Sequence, residues 1–194
     1  AMKKRDLKKH LRSQIEYFED KAAKTGLSGK ENMNFRAHLL TWRILNITRD
    51  GLEPLAYLME DGETLIQDPN VEMEKKEMDL PIIGLFEIPE LIGRYEHENR
   101  QLAAFLSVTI ERLEAVKHDI PFGFDERTEG DLLSFQIALN VLTAEPSAWL
   151  RPERHHNTFA FTVIPYDAAQ EEDNFETRLV PLYQIADFYT LIRW

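Results

Sequence analysis

The densest polar cluster in the chain is Arg151–Pro152–Glu153–Arg154–His155–His156. Two guanidinium groups and two imidazoles within six residues suit the capture of an anion, or an imidazole that moves a proton. Adjacent residues on an extended strand point to opposite faces, so His155 and His156 are not expected to share one metal ion. A solvated turn whose arginines meet acidic neighbours is the plainer reading of the same residues. A second group, Glu96–His97–Glu98 with Asn99 and Arg100, offers carboxylates beside a histidine. That combination suits hydrolytic or metal-assisted chemistry, and equally an exposed helix face laced with salt bridges, which is its commoner use. Asn99 falls on an otherwise apolar stripe, and a polar group there needs a partner. A third group, Asp125, Glu126, Glu129 and Asp131, fits the positive end of a helix dipole and lacks the spacing of a calcium loop.

Several chemistries are excluded by what is missing. No His-Glu-x-x-His, Gly-x-Ser-x-Gly, complete phosphate loop or dinucleotide fingerprint occurs. Gly26–Leu27–Ser28–Gly29–Lys30 echoes a phosphate loop but lacks both its spacing and the hydroxyl residue after the lysine, and reads as a helix linker. Of the two Glu-x-x-His pairs that a di-iron bundle requires, only Glu153 and His156 have the spacing, after a proline. Cysteine is absent, which removes disulfides, thiolate catalysis and cysteine-based zinc sites. Neither a metal nor an organic cofactor is expected.

Charge is segregated. Six of the 23 basic residues and one of the 34 acids fall within residues 1–12, leaving the remainder with a net charge of −16. An acidic body repels phosphate backbones, so nucleic-acid binding is expected only through residues 3–12. The candidate binding residues are therefore Lys3, Lys4, Arg5, Lys8, Lys9 and Arg12, together with Arg151 and Arg154. No apolar run reaches the ~18–20 residues of a membrane span, and the basic start is not followed by the apolar stretch of a secretory signal. A reducing cytoplasm is the expected location.

The elements that must position these residues are mostly helical. Leu7, Leu11, Ile15, Phe18 and Ala22 form one stripe over 3–24, a basic amphipathic helix able to act semi-independently. Asn34 is expected to cap a second helix over 35–49 that buries Phe35, Leu39, Trp42 and Leu45. Residues 52–60 read as a short helix, since a tight hairpin at Asp61–Gly62 would oppose Glu60 and Glu63. The charge-rich stretch 67–81 reads as a mobile loop, and 82–88 as a buried strand of uncertain type. A long helix is expected over 89–118, roughly 45 Å, and a fifth over 131–144. Alternating runs at 158–164 and 175–180 predict an antiparallel hairpin, and 181–194 has helical spacing.

The resulting expectation is a single α+β domain over 2–194, predominantly α-helical, with five or six helices and a C-terminal antiparallel β-hairpin. For function, the charge asymmetry and missing motifs point to a non-enzymatic accessory or regulatory protein. It would bind a protein partner through its acidic body and basic N-terminal helix, with the long helix as a seam in a homodimer. The alternative is a hydrolase or transferase for an anionic or phosphorylated substrate. Arg151, Arg154, His155 and His156 would hold the anion and Glu96 or His97 would serve as acid–base group, which requires the two clusters to share a pocket.

Overall fold

The computed structural model describes residues 2–47, 53–59, 61, 63–67, 70, 75, 79, 81–91, 95–155, 158–167, 179–185, 188 and 191–192, with the backbone alone over 152–155 and 158–161. Among them lie four α-helices: α1 (Lys4–Lys24), α2 (Gly29–Asn46), α3 (Glu96–Asp119) and α4 (Glu126–Thr143). Six strands accompany them: β1 (Ala56–Met59), β2 (Leu65–Ile66), β3 (Ile82–Glu87), β4 (Ala148–His155), β5 (Thr158–Pro165) and β6 (Val180–Gln184). The chain forms two compact units, each assembled from separated stretches. The helical unit takes Ala1–Gly51, Arg94–Thr143 and Ala186–Trp194; the β unit takes Leu52–Gly93 and Ala144–Ile185.

In the helical unit, the expected stripe of α1 is buried at Leu7, Leu11 and Phe18, which are 0, 0 and 4% exposed. Burying side chains of this size contributes about 1.5–3 kcal/mol each. Gly26, at φ +79°, ends α1 in the left-handed region that glycine tolerates best. α2 begins earlier than expected and is capped by Ser28 rather than Asn34. The Ser28 hydroxyl accepts the Glu31 amide, and the Glu31 carboxylate accepts the Ser28 amide, a complete capping box. Its buried face is also rotated from the expected one. Ala37, His38, Leu40, Thr41, Ile44 and Leu45 are inside, whereas Leu39 is exposed. Apolar residues occur all round this helix, so spacing alone could not choose the face.

α3 starts at Glu96 because Pro89–Leu91 forms a separate 3-10 turn. Leu102, Leu106 and Ile110 of its expected stripe are buried, while Val116 is half exposed. Asn99 finds the partner its position called for: Arg36 Nη2 donates to its Oδ1 at 3.4 Å. α4 begins five residues before the expected start. Asp125 accepts the Thr128 amide at 2.7 Å and caps it.

The β unit corrects the expected fold class. Its six strands form one antiparallel sheet in the order β2-β1-β3-β6-β4-β5, in place of a fifth and sixth helix and a terminal hairpin. The sheet curls toward closure: the β5 amide of Val163 donates to the side chain of Gln67, just beyond β2, at 3.1 Å. Residues 56–59, expected in a helix, are β1, paired Tyr57 to Ile66 and Leu58 to Leu65. Asp61 accepts the amides of Glu63 and Thr64 and secures the turn. Burial of Ala56, Leu58 and Ile66 outweighs the repulsion that argued against a hairpin there.

β5 hairpins with β4, His155 opposite Thr158. β6, read from sequence partly as helix, runs between β3 and β4, with Phe86 opposite Tyr183 and Ala148 opposite Leu182. Ala56, Leu58, Leu85, Ala148, Leu150 and Leu182 make the core of the sheet. Most of the expected loop at 67–81 and most of the expected strand at 175–180 lie outside the described residues, as does most of 186–194.

Candidate functional site

Three polar side chains converge inside the helical unit. His10 comes from α1, His38 from the middle of α2 and Asp131 from the second turn of α4. His10 Nε2 lies 2.9 Å from Asp131 Oδ1, and His38 Nε2 lies 3.0 Å from the same oxygen. The side chains are 8, 0 and 25% exposed for His10, His38 and Asp131. The outer ring nitrogen of His38, Nδ1, sits 2.8 Å from the Asn34 carbonyl oxygen one turn earlier on α2.

Each ligand atom is placed by local packing. Leu7 and Leu11 hold α1 against its unit on either side of His10. Gly130 allows the close approach: a Cβ at that position would stand 2.6–2.8 Å from three atoms of the His10 ring. The His38 ring meets Phe135 edge-on with centroids 5.4 Å apart, and lies tilted to Phe18 and His10 at 6.2 and 5.6 Å. The buried Thr41 hydroxyl donates to the Ser134 carbonyl at 2.7 Å and ties α2 to α4, while the Ser134 hydroxyl donates back to the Gly130 carbonyl within α4, also at 2.7 Å.

The proton inventory of His38 is constrained. A carbonyl oxygen can only accept, so Nδ1 carries a hydrogen. Burial by itself pushes the Asp131 carboxyl up, but hydrogen bonds from His10 and His38, then their charge, more than offset it and hold the group at about 2. An ionised carboxylate also only accepts. His38 Nε2 and the Asp131 carboxylate thus face each other across 3.0 Å inside the unit, where a buried charge needs polar partners.

The sequence-derived candidates fall elsewhere. Glu96 and His97 are exposed on the first turn of α3, in the helical unit. Arg151 is half-buried on β4, the backbone of Arg154 and His155 continues that strand, and His156 lies outside the described residues. The two clusters thus belong to different units. At the N-cap of α1 Lys3 is exposed, and on the helix Arg5, Lys9 and Arg12 are exposed and Lys4 and Lys8 half-buried. Desolvation, and secondarily Lys8, lowers the Lys4 ammonium from its ordinary value. Arg12 lies over the Trp42 ring, 5.7 Å from its centroid. An open groove of about 630 Å³ between α3 and α4 is lined by Glu114, Lys117, His118, Glu129, Leu132 and Gln136. It opens on the far side of α4 from Asp131, since Glu129 is about 200° round the helix from it at 100° per residue.

Sequence reasoning placed Asp131 among helix-start acids and passed over both histidines. A signal was present: His10 follows Leu7 by three residues and His38 follows Phe35 by three, so both are polar residues on apolar faces.

Compared with protein-family models, with curated proteins and with solved structures, the chain matches none of them. No helix among the described residues is long and apolar enough to cross a membrane.

Proposed function

We propose that this chain is a non-enzymatic interaction protein, an accessory or regulatory subunit that presents the outward face of α1 to an acidic protein partner. The supporting observation is the division of labour on α1. Its apolar stripe is used up inside its own unit at Leu7, Leu11 and Phe18, while Lys3, Arg5 and Lys9 stay exposed. A covered stripe cannot enter a bilayer or a partner's apolar groove without undocking α1, and the charges are what remain for recognition. Such a contact steers association and specificity, and weakens with salt. The acidic remainder of the chain disfavours nucleic acid as the partner and keeps basic partners as a further class.

The test is a triple substitution, Lys3→Gln, Arg5→Gln and Lys9→Gln, on surface positions whose loss leaves the fold intact. Proteins retained from the source lysate are quantified for both forms at rising salt, beside nucleic-acid binding and solution mass. A stoichiometric acidic protein whose retention drops about tenfold or more in the variant, and falls with salt, supports the reading. Equal retention by both forms sinks it, and binding of nucleic acid alone reassigns the face.

A further inference from the structure

We infer that His10, His38 and Asp131 form a binding site for one divalent first-row transition metal ion of borderline softness, such as zinc or ferrous iron. One nitrogen from each histidine and a carboxylate oxygen lie within 4.8 Å of one another, inside a bundle of three helices. The spacings of 2.9 and 3.0 Å to Asp131 Oδ1 fall at the edge length of an octahedral shell: ligands about 2.0–2.1 Å from a metal are roughly 2.9 Å apart at 90°, and roughly 3.3 Å apart at the 109° of tetrahedral zinc, which a small spreading of the three side chains would reach. Hydrogen bonds have the same length, so distance alone does not select between them.

A second observation is the contact of His38 Nδ1 with the Asn34 carbonyl: the hydrogen donated there leaves Nε2, on the Asp131 side, as the ligand atom. This outer-shell arrangement is typical of metal-bound histidines, in which the second nitrogen donates to a carbonyl or carboxylate. Two imidazoles and a carboxylate suit zinc, iron, cobalt, nickel or manganese, and exclude the all-oxygen shells of magnesium and calcium. Three protein ligands leave room for water or an exogenous donor on the partly exposed side of Asp131. The site is separate from the cationic face and would hold α1 on α2 and α4 by coordination.

The experiment uses the full chain, freed of metal by chelator and dialysis, with Zn²⁺ and Co²⁺ as probes. Equilibrium dialysis with metal analysis gives stoichiometry, and the visible spectrum of Co²⁺ reports nitrogen–oxygen ligation. Nitrogen-15 spectra of the imidazoles report how many ring hydrogens His38 carries. One equivalent bound, with affinity falling at least tenfold in both Asp131→Asn and His10→Gln, and His38 Nε2 carrying no hydrogen at saturating metal, is the expected result. Asp131→Asn keeps an acceptor in place, and the Nε2 hydrogen is read on the unmodified chain, so a misfolded variant does not decide the matter. No uptake by the folded chain, uptake indifferent to both substitutions, or a His38 that keeps both hydrogens at saturating metal would overturn the inference.

Discussion

Replacing Gly130 by alanine should destabilise the helical unit, against the usual direction of such a change. Alanine in a helix interior is favoured over glycine by about 0.8–1.0 kcal/mol, so a Gly130→Ala change judged on α4 alone is stabilising. The added methyl, however, meets Cγ, Cδ2 and Nδ1 of His10 at 2.6, 2.7 and 2.8 Å. These atoms belong to the root and body of a ring. They cannot retreat while Leu7 and Leu11 anchor α1 at no exposure on either side. Overpacking of this kind costs about 1–3 kcal/mol, and displacing His10 also weakens its contact with Asp131. The expected net loss is about 1–2 kcal/mol, read from urea denaturation followed by circular dichroism with an unchanged slope. In a His10→Ala background the clash is gone, and the same change should stabilise by up to about 1 kcal/mol. The cycle therefore predicts a coupling of about 2 kcal/mol between positions 10 and 130. A variant as stable as the parent, or equal effects in both backgrounds, would refute the reasoning.

Ser28→Ala should cost about 1 kcal/mol by removing the cap of α2, and Ser28→Asn should restore most of it; thermal denaturation distinguishes the three forms. Tyr183 is 6% exposed, and burial raises its hydroxyl to about 12. Because the folded value exceeds the unfolded value of 10.0, its contribution is intact below pH 10 and is lost as the pH rises toward 12. The loss is about 1.4 kcal/mol per pH unit in that window, measurable by denaturation between pH 9 and 11.5. Tyr183→Phe should show a shallower alkaline decline, and identical declines would discard the assignment.

How much of this was readable in the chain follows from the range over which each interaction acts. α1 was legible because its apolar residues form one stripe in a polar surround, and Leu7, Leu11 and Phe18 are buried as spacing required. The start of α2 was equally local, since Ser28 and Glu31 are the ends of a capping box, although Asn34 offered a competing cap six residues later. β4 was not legible. Arg151, Pro152, Glu153 and Arg154 look like a turn, and only pairing with Thr162 through Phe159 makes them a strand. β6 is defined by neighbours about 35 and 100 residues away in sequence, so helical spacing at Leu182 and Ile185 misled. The histidine–aspartate centre is the extreme case. His10 and His38 were distinguishable only as polar residues on apolar faces, and nothing near either one names Asp131.

Asp131 is separated from His38 by 93 residues and from His10 by 121, and synthesis sets a clock on that distance. At roughly 5–20 residues per second on a ribosome, roughly 5–20 s pass between the making of His38 and the making of its acid. During that interval α1 and α2 are made while α4, which packs against both, is still to come. The intervening stretch is not idle, because it contains β1, β2, β3 and all of α3. The three strands are themselves unfinished, since β4, β5 and β6 come last. Each unit is interrupted in sequence by part of the other, so a half-built intermediate with exposed apolar seams precedes the closure of either.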